Sequence, residues 1–283
     1  MGSGGLIEIK RRLKSVQSTK KITNAMGLVA TSKLRKCRRA LSDSDEYMEV
    51  SKKNMESLAS ASSEDLEIPY FRNNNSQDKL YIIIASDSGL CGGYNANTVS
   101  YLQYITKGNK DNTKVIVVGS KGISYAKRAG FNTIAEYVDI PEIPTVKEVK
   151  VIYNEALRMF EKGEVSEVNI IYTKFVSPVK QEVTVEKILP VQCDLENTST
   201  ISIEPDLETV LKASLDAYLK GKIRYYMLSS RCSEESSRMN AMDGATSNAN
   251  DIISSLNIKY NRIRQAMITN EISEIVGGAS AQK

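Results

Sequence analysis

Histidine is absent from all 283 residues. Without imidazole there is no histidine base to activate a serine or cysteine, and the usual zinc sites lose a main ligand. Paired cysteines are absent too: Cys37, Cys91, Cys193 and Cys232 stand far apart, with no CxxC. No apolar run approaches the roughly 20 residues that a membrane-crossing helix needs, so nothing here is expected to span a bilayer. The start, MGSGGLIEIKRR, lacks the apolar core of a secretory signal, and the cysteines are therefore expected to be free thiols in a reducing cytosol. Acidic residues are missing from one stretch: Ile9 to Ser42 carries eleven Lys or Arg and no Asp or Glu, although the net formal charge is only +4. Such a run suits a nucleic-acid arm, a membrane-surface helix, or a solvated face that meets an acidic protein partner. Proline is missing from both ends, all six lying between Pro69 and Pro205.

What is present is a periodic pattern in each proline-free block. Leu6, Ile9, Leu13 and Val16, then Leu34, Cys37 and Leu41, then Met48, Met55 and Leu58 share the a and d positions of one heptad register. Inside that register Lys20, Thr23 and Gly27 interrupt the apolar seam, which is expected to fail there, while Ile22, Met26 and Val29 form a stripe on another face. In the last block Pro205 is expected to open a helix, with Asp206 and Glu208 at its positive end. Met239, Met242, Ala249, Ile253, Leu256, Tyr260, Ile263 and Met267 hold a second a/d register, expected to stop at Gly277-Gly278. At about 1.5 Å per residue, helices of about 55 and 70 residues would measure roughly 80 and 105 Å. Patterns this long imply a coiled coil, and two helices leaving one compact middle body must run antiparallel.

The middle alternates. KLYIIIAS, TKVIVVGS, GFNTIAEYV, SEVNIIYTKFV and KQEVTVEKILPV read as strands, and Asn95 to Lys107, Lys121 to Ala129 and Val146 to Lys162 as helices. A series of this kind predicts a mainly parallel sheet covered by helices, with the last two strands an antiparallel hairpin at its edge. The fold class is thus α/β: a long antiparallel coiled coil of the terminal helices plus a Rossmann-like middle domain, divided 1–68, 69–204 and 205–283.

SDSGLCGGYNAN, Ser86 to Asn97, falls after the first strand and before a helix, where a nucleotide-binding fold places its phosphates. Its glycines fit neither GxGxxG nor GxxxxGK[ST], and Cys91 as a nucleophile would lack a base. A tight turn that uses glycine for positive φ and close helix packing is the favoured reading.

IKRRLKSVQSTKKITNAMGLVATSKLRK, SDSGLCGGYN and SSRMNAMDGATSNANDIISSLNIKYNRIRQAMITNEISEIVGGA resemble the gamma subunit of bacterial F-type ATP synthase, and the match spans the chain. The resemblance implies a non-catalytic rotor shaft without a cofactor or metal of its own. In it the terminal helices coil inside three alpha and three beta subunits, and the α/β foot rests with the epsilon subunit on the c-subunit ring. It also implies peripheral attachment at the cytoplasmic face of the cell membrane, with membrane contact only through the complex. Family positions that meet acidic beta loops match Met26, Arg238, Gln265, Thr269 and Glu271. Asn24 and Gly27 stand where the family often has lysine, and Glu235 where histidine is frequent. The alternative, a basic coiled coil that binds nucleic acid, requires the basic run to precede the apolar seam; here the two overlap.

Overall fold

A computed structural model describes residues 2–60, 69–71, 74–192 and 203–281, with side chains from 5 to 279. Cys193 lies outside the described residues. Two compact units emerge, one of residues 30–238 and one combining 1–29 with 239–283.

Apolar alternation builds the larger unit. Strands β1 (Lys79–Ile84), β2 (Thr113–Val118), β3 (Thr133–Tyr137), β4 (Glu167–Phe175) and β5 (Gln181–Leu189) form one sheet in the order β3-β2-β1-β4-β5. The first four are parallel and β5 returns antiparallel to β4 at the edge, as expected. Successive strand residues point to opposite faces. Leu80, Ile82 and Ile84 accordingly join a core with α4 (Val146–Glu161), whereas Tyr81 and Ile83 pack with Val99 and Leu102 of α2 (Tyr94–Ile105) and Ala126 of α3 (Ser120–Arg128). Both faces being covered, β1 reads as a continuous apolar run. Thr145 caps α4: its hydroxyl accepts the Lys147 N–H at 3.3 Å while Glu148 accepts the Thr145 N–H at 2.8 Å.

Two long helices, α1 (Gly2–Ser60) and α5 (Leu207–Ala281), take part in both units. Within the larger one, Leu211, Leu215, Leu219, Ile223 and Met227 of α5 enter the core beside α4. A side chain added at Gly221 would meet Tyr47 and Met48 of α1, so these helices pack closely there.

In the smaller unit α1 and α5 are antiparallel partners: Thr23 Oγ1 lies 2.7 Å from Thr246 Oγ1, and four residues on, Gly27 faces Met242 and Asp243. The α5 register is visible in burial, with Met242, Ala249 and Leu256 buried and Met239, Ile253, Tyr260, Ile263 and Met267 half-buried.

Three expectations are corrected. The α1 seam does not fail, because Thr23, Gly27 and Ala30 are buried and continue it with small or hydroxyl-bearing residues. The stripe on another face does exist, with Ile22 59% and Val29 55% exposed. Pro205 is not the first helical residue: Asp206 caps the helix by accepting the Thr209 N–H at 2.8 Å, which places Pro205 just outside. Gly277-Gly278 does not end α5, which continues to Ala281; glycine weakens a helix by about 1 kcal/mol but, unlike proline, keeps its N–H.

Candidate partner-binding residues and the polar junction

The five residues singled out above occupy contrasting environments. In the smaller unit, Met26 is half-buried beside the exposed Ile22 and Val29. Gln265, Thr269 and Glu271 are exposed, with the Thr269 hydroxyl donating to the Gln265 carbonyl at 2.9 Å. Gln265 and Thr269 share one face, a turn apart. Met26 sits well away from them, since its neighbour Gly27 faces Met242, roughly 35 Å back along α5 from Gln265. Around the three polar residues Ile268, Ile272, Ile275 and Val276 are also exposed, an apolar surface in need of cover.

Arg238 belongs to the larger unit and is only 7% exposed. Its guanidinium lies 2.7 Å from Glu234, 2.8 Å from Glu235 and 2.6 Å from the Ser88 hydroxyl. Burial alone would lower its pKa, and the two glutamates more than restore it. Glu234 also holds Arg231 at 2.7 Å, and Arg231 donates to the Ile140 carbonyl at 3.1 Å. Glu235 is buried as well: its Oε2 touches Arg238 without hydrogen-bond alignment. Burial therefore raises its pKa, Arg238 offsetting only part and Glu234 adding to the rise.

Beside this cluster stands a ladder of serines that hydrophobic periodicity does not detect. β4 pairs with β1 only as far as Ile171. Past that point the N–H groups of Thr173 and Phe175 donate to the hydroxyls of Ser230 at 3.0 Å and Ser229 at 2.9 Å, and Ser233 donates to the Thr173 carbonyl at 2.8 Å. Ser236 and Ser237 donate in turn to Pro178 and Cys91 carbonyls at 2.7 and 2.9 Å. Serines of α5 thus replace a missing strand, satisfying backbone groups that burial would otherwise leave unpaired. The available signal was S-S-R-C-S-E-E-S-S-R itself, ten residues of helix with no large apolar side chain.

That ladder decides the reading of Ser86 to Asn97. The turn lies at the carboxyl end of β1, where the strand order reverses and a doubly wound sheet ordinarily leaves a ligand crevice. Here Arg238 and Ser237 of α5 fill it. Asn95 Oδ1 accepts the Ser86 N–H at 2.9 Å, and Gly92 takes φ +58°, as a tight turn requires. Cys91 is 2% exposed and burial pushes its thiol upward, the reverse of what a nucleophile needs.

One open cavity of about 780 Å³, lined mainly by apolar groups of α1, α4 and α5, has polar groups already engaged. Asp216 accepts from Tyr70 at 2.9 Å and from Tyr153, and pairs with Lys220 at 3.1 Å; Arg224 donates to the Pro144 carbonyl at 3.0 Å.

A family model described as ATP synthase matches residues 5–282. The chain is 59% identical over 283 residues to an ATP synthase gamma chain of Clostridium botulinum (strain Eklund 17B / Type B), covering 100% of both. It is 53% identical over 282 residues to the gamma chain of Clostridium beijerinckii, again over 100% of both. Among solved structures it resembles a chain of the Euglena gracilis mitochondrial ATP synthase OSCP/F1/c-ring assembly, with TM-score 0.74 and 19% identity over 99% of this chain and 95% of that one. A chain of the Tetrahymena thermophila central stalk/c-ring structure aligns with TM-score 0.60 at 24% identity, over 79% of this chain and 99% of that one. At those identities the structural likeness concerns the fold.

Proposed function

The chain belongs to the gamma family of the ATP synthases and is a non-catalytic rotor-shaft subunit, and from that premise we propose how its parts act. The 1–68 and 205–283 segments form the shaft inside three alpha and three beta subunits, and 69–204 forms the foot against the epsilon subunit and the c-ring. Membrane contact comes only through the complex, at the cytoplasmic face of the cell membrane; no described helix is long and apolar enough to cross a bilayer. The observation that carries this reading is the smaller unit's surface. Its two helices bury one seam against each other yet leave Ile22, Val29, Ile268, Ile272 and Val276 exposed, which fits a shaft enclosed by other chains.

On this reading Met26, Gln265, Thr269 and Glu271 meet the beta subunits directly. Arg238, engaged by Glu234, Glu235 and Ser88, offers a partner only the edge of its guanidinium. A two-helix shaft is asymmetric, so each beta subunit meets a different face. Its orientation biases the nucleotide sites only through contacts whose strength changes with angle, since a ligand shifts an equilibrium by its differential affinity alone. The basic stretch Lys10 to Arg39 suits acidic partner loops and tolerates sliding. The nucleic-acid alternative receives no support from the relatives, which are gamma chains.

Co-purification tests the reading. A complex with three alpha and three beta chains per copy is expected; a complex with equal numbers of all three would overturn it.

A further inference from the structure

Two thiols of the larger unit face each other across α1 and α5, and the function described above uses neither. The close approach of Gly221 to Met48 fixes the local register of the pair. Eleven residues back along α1 stands Cys37, and eleven on along α5 stands Cys232. Eleven residues return a helix to nearly the same face after about three turns, so in antiparallel helices the two cysteines come opposite one another. Their side chains do meet there, hydrogen-bonded to each other. Cys37 Sγ lies 3.8 Å from the Glu142 carbonyl oxygen, and both cysteines are free and 0% exposed. The bond between them holds the Cys37 pKa down against burial, with help from Arg231, while the same bond and burial raise that of Cys232. Each thiol therefore faces the sulfur that can resolve its oxidation.

We propose that Cys37 and Cys232 are an oxidation site, closed by a hydroperoxide into a disulfide that staples α1 to α5. The thiolate of one cysteine attacks the peroxide, whose O–O bond breaks, leaving that cysteine as sulfenic acid and releasing an alcohol, or water from hydrogen peroxide. The facing sulfur then attacks the oxidised one; the S–O bond breaks, and hydroxide departs with the second thiol's proton as water. The two thiols lose two electrons, which reduce the peroxide, and thiol reductants reverse the bond by exchange. Burial sets the rate through local opening of the helix pair, while the facing thiol sets the product.

The test uses the assembled complex with hydrogen peroxide as the probe, at an exposure that fully oxidises the urea-unfolded chain. Denaturation in N-ethylmaleimide, unreduced digestion and mass spectrometry follow. A peptide pair joining Cys37 to Cys232, short of two hydrogens, is expected; it should vanish on dithiothreitol treatment and in both Cys37→Ser and Cys232→Ser. Recovery of both residues as alkylated thiols would overturn the proposal, as would sulfinic acid at either or a link from either to Cys91 or Cys193.

Discussion

Glu235 shows how one side chain at the junction links burial to pH. Its carboxyl is raised above its ordinary value of 4.5, chiefly by burial. Above pH 4.5 the unfolded chain has lost a proton that the folded chain still holds, so stability falls as pH rises through that window and levels once the folded group ionises. Each pH unit of elevation weakens folding by about 1.4 kcal/mol. Glu235→Gln removes the titration while Glu234 still pairs with Arg238. Thermal melts should therefore show the variant gaining on the parent chain between pH 5 and pH 8; a constant difference would mean that Glu235 ionises normally. Little of this was legible in the sequence. Glu235 looked like a family departure, and Arg238 like a partner contact, because nothing in a one-dimensional pattern says that two acids and an arginine will be buried together.

At the scale of elements, strands and helices announced themselves wherever apolar residues repeat at period 2 or 3.6. The sheet, its covering helices and the edge hairpin follow that signal, and so does the α5 register beyond Met239. It failed where packing uses small or hydroxyl groups instead. Thr23, Gly27 and Ala30 hold the α1 seam without large apolar side chains, and the serines of α5 dock on β4 by hydrogen bonds. Ser230→Ala should cost about 1–3 kcal/mol in urea melts, because the buried Thr173 N–H loses its acceptor. Exposed Ser18→Ala should stay within about 0.5 kcal/mol, and equal small effects would show that the ladder does not hold the helix. Gly27→Ala has the opposite sign. Its new Cβ would lie 3.4 Å from Asp243 Oδ1 and 3.5 Å from Met242 Cβ, ordinary contact distances. Alanine's helix propensity should then stabilise the pair by about 0.5–1 kcal/mol, seen as slower amide exchange around residues 20–30.

Rotation belongs to the whole molecule, and it is the property that neither periodicity nor packing can display. If the shaft turns within the ring, one covalent link between them should stop repeated turnover while every nucleotide site stays intact. Lys33 is a poor anchor despite its place on the basic stretch, because it pairs with Glu142 at 2.5 Å inside its own chain. Val29 is 55% exposed on the outward stripe and is the better choice. Cys37, Cys91, Cys193 and Cys232 would first become serine, so that only the new pair reacts. Val29→Cys is then combined with a cysteine at a facing beta position whose Cα lies within about 7 Å. Oxidation should abolish steady-state ATP hydrolysis and reduction should restore it. Full turnover in a sample verified as cross-linked would mean that the chain is a static scaffold, since a tether of that length leaves no room for even part of a revolution.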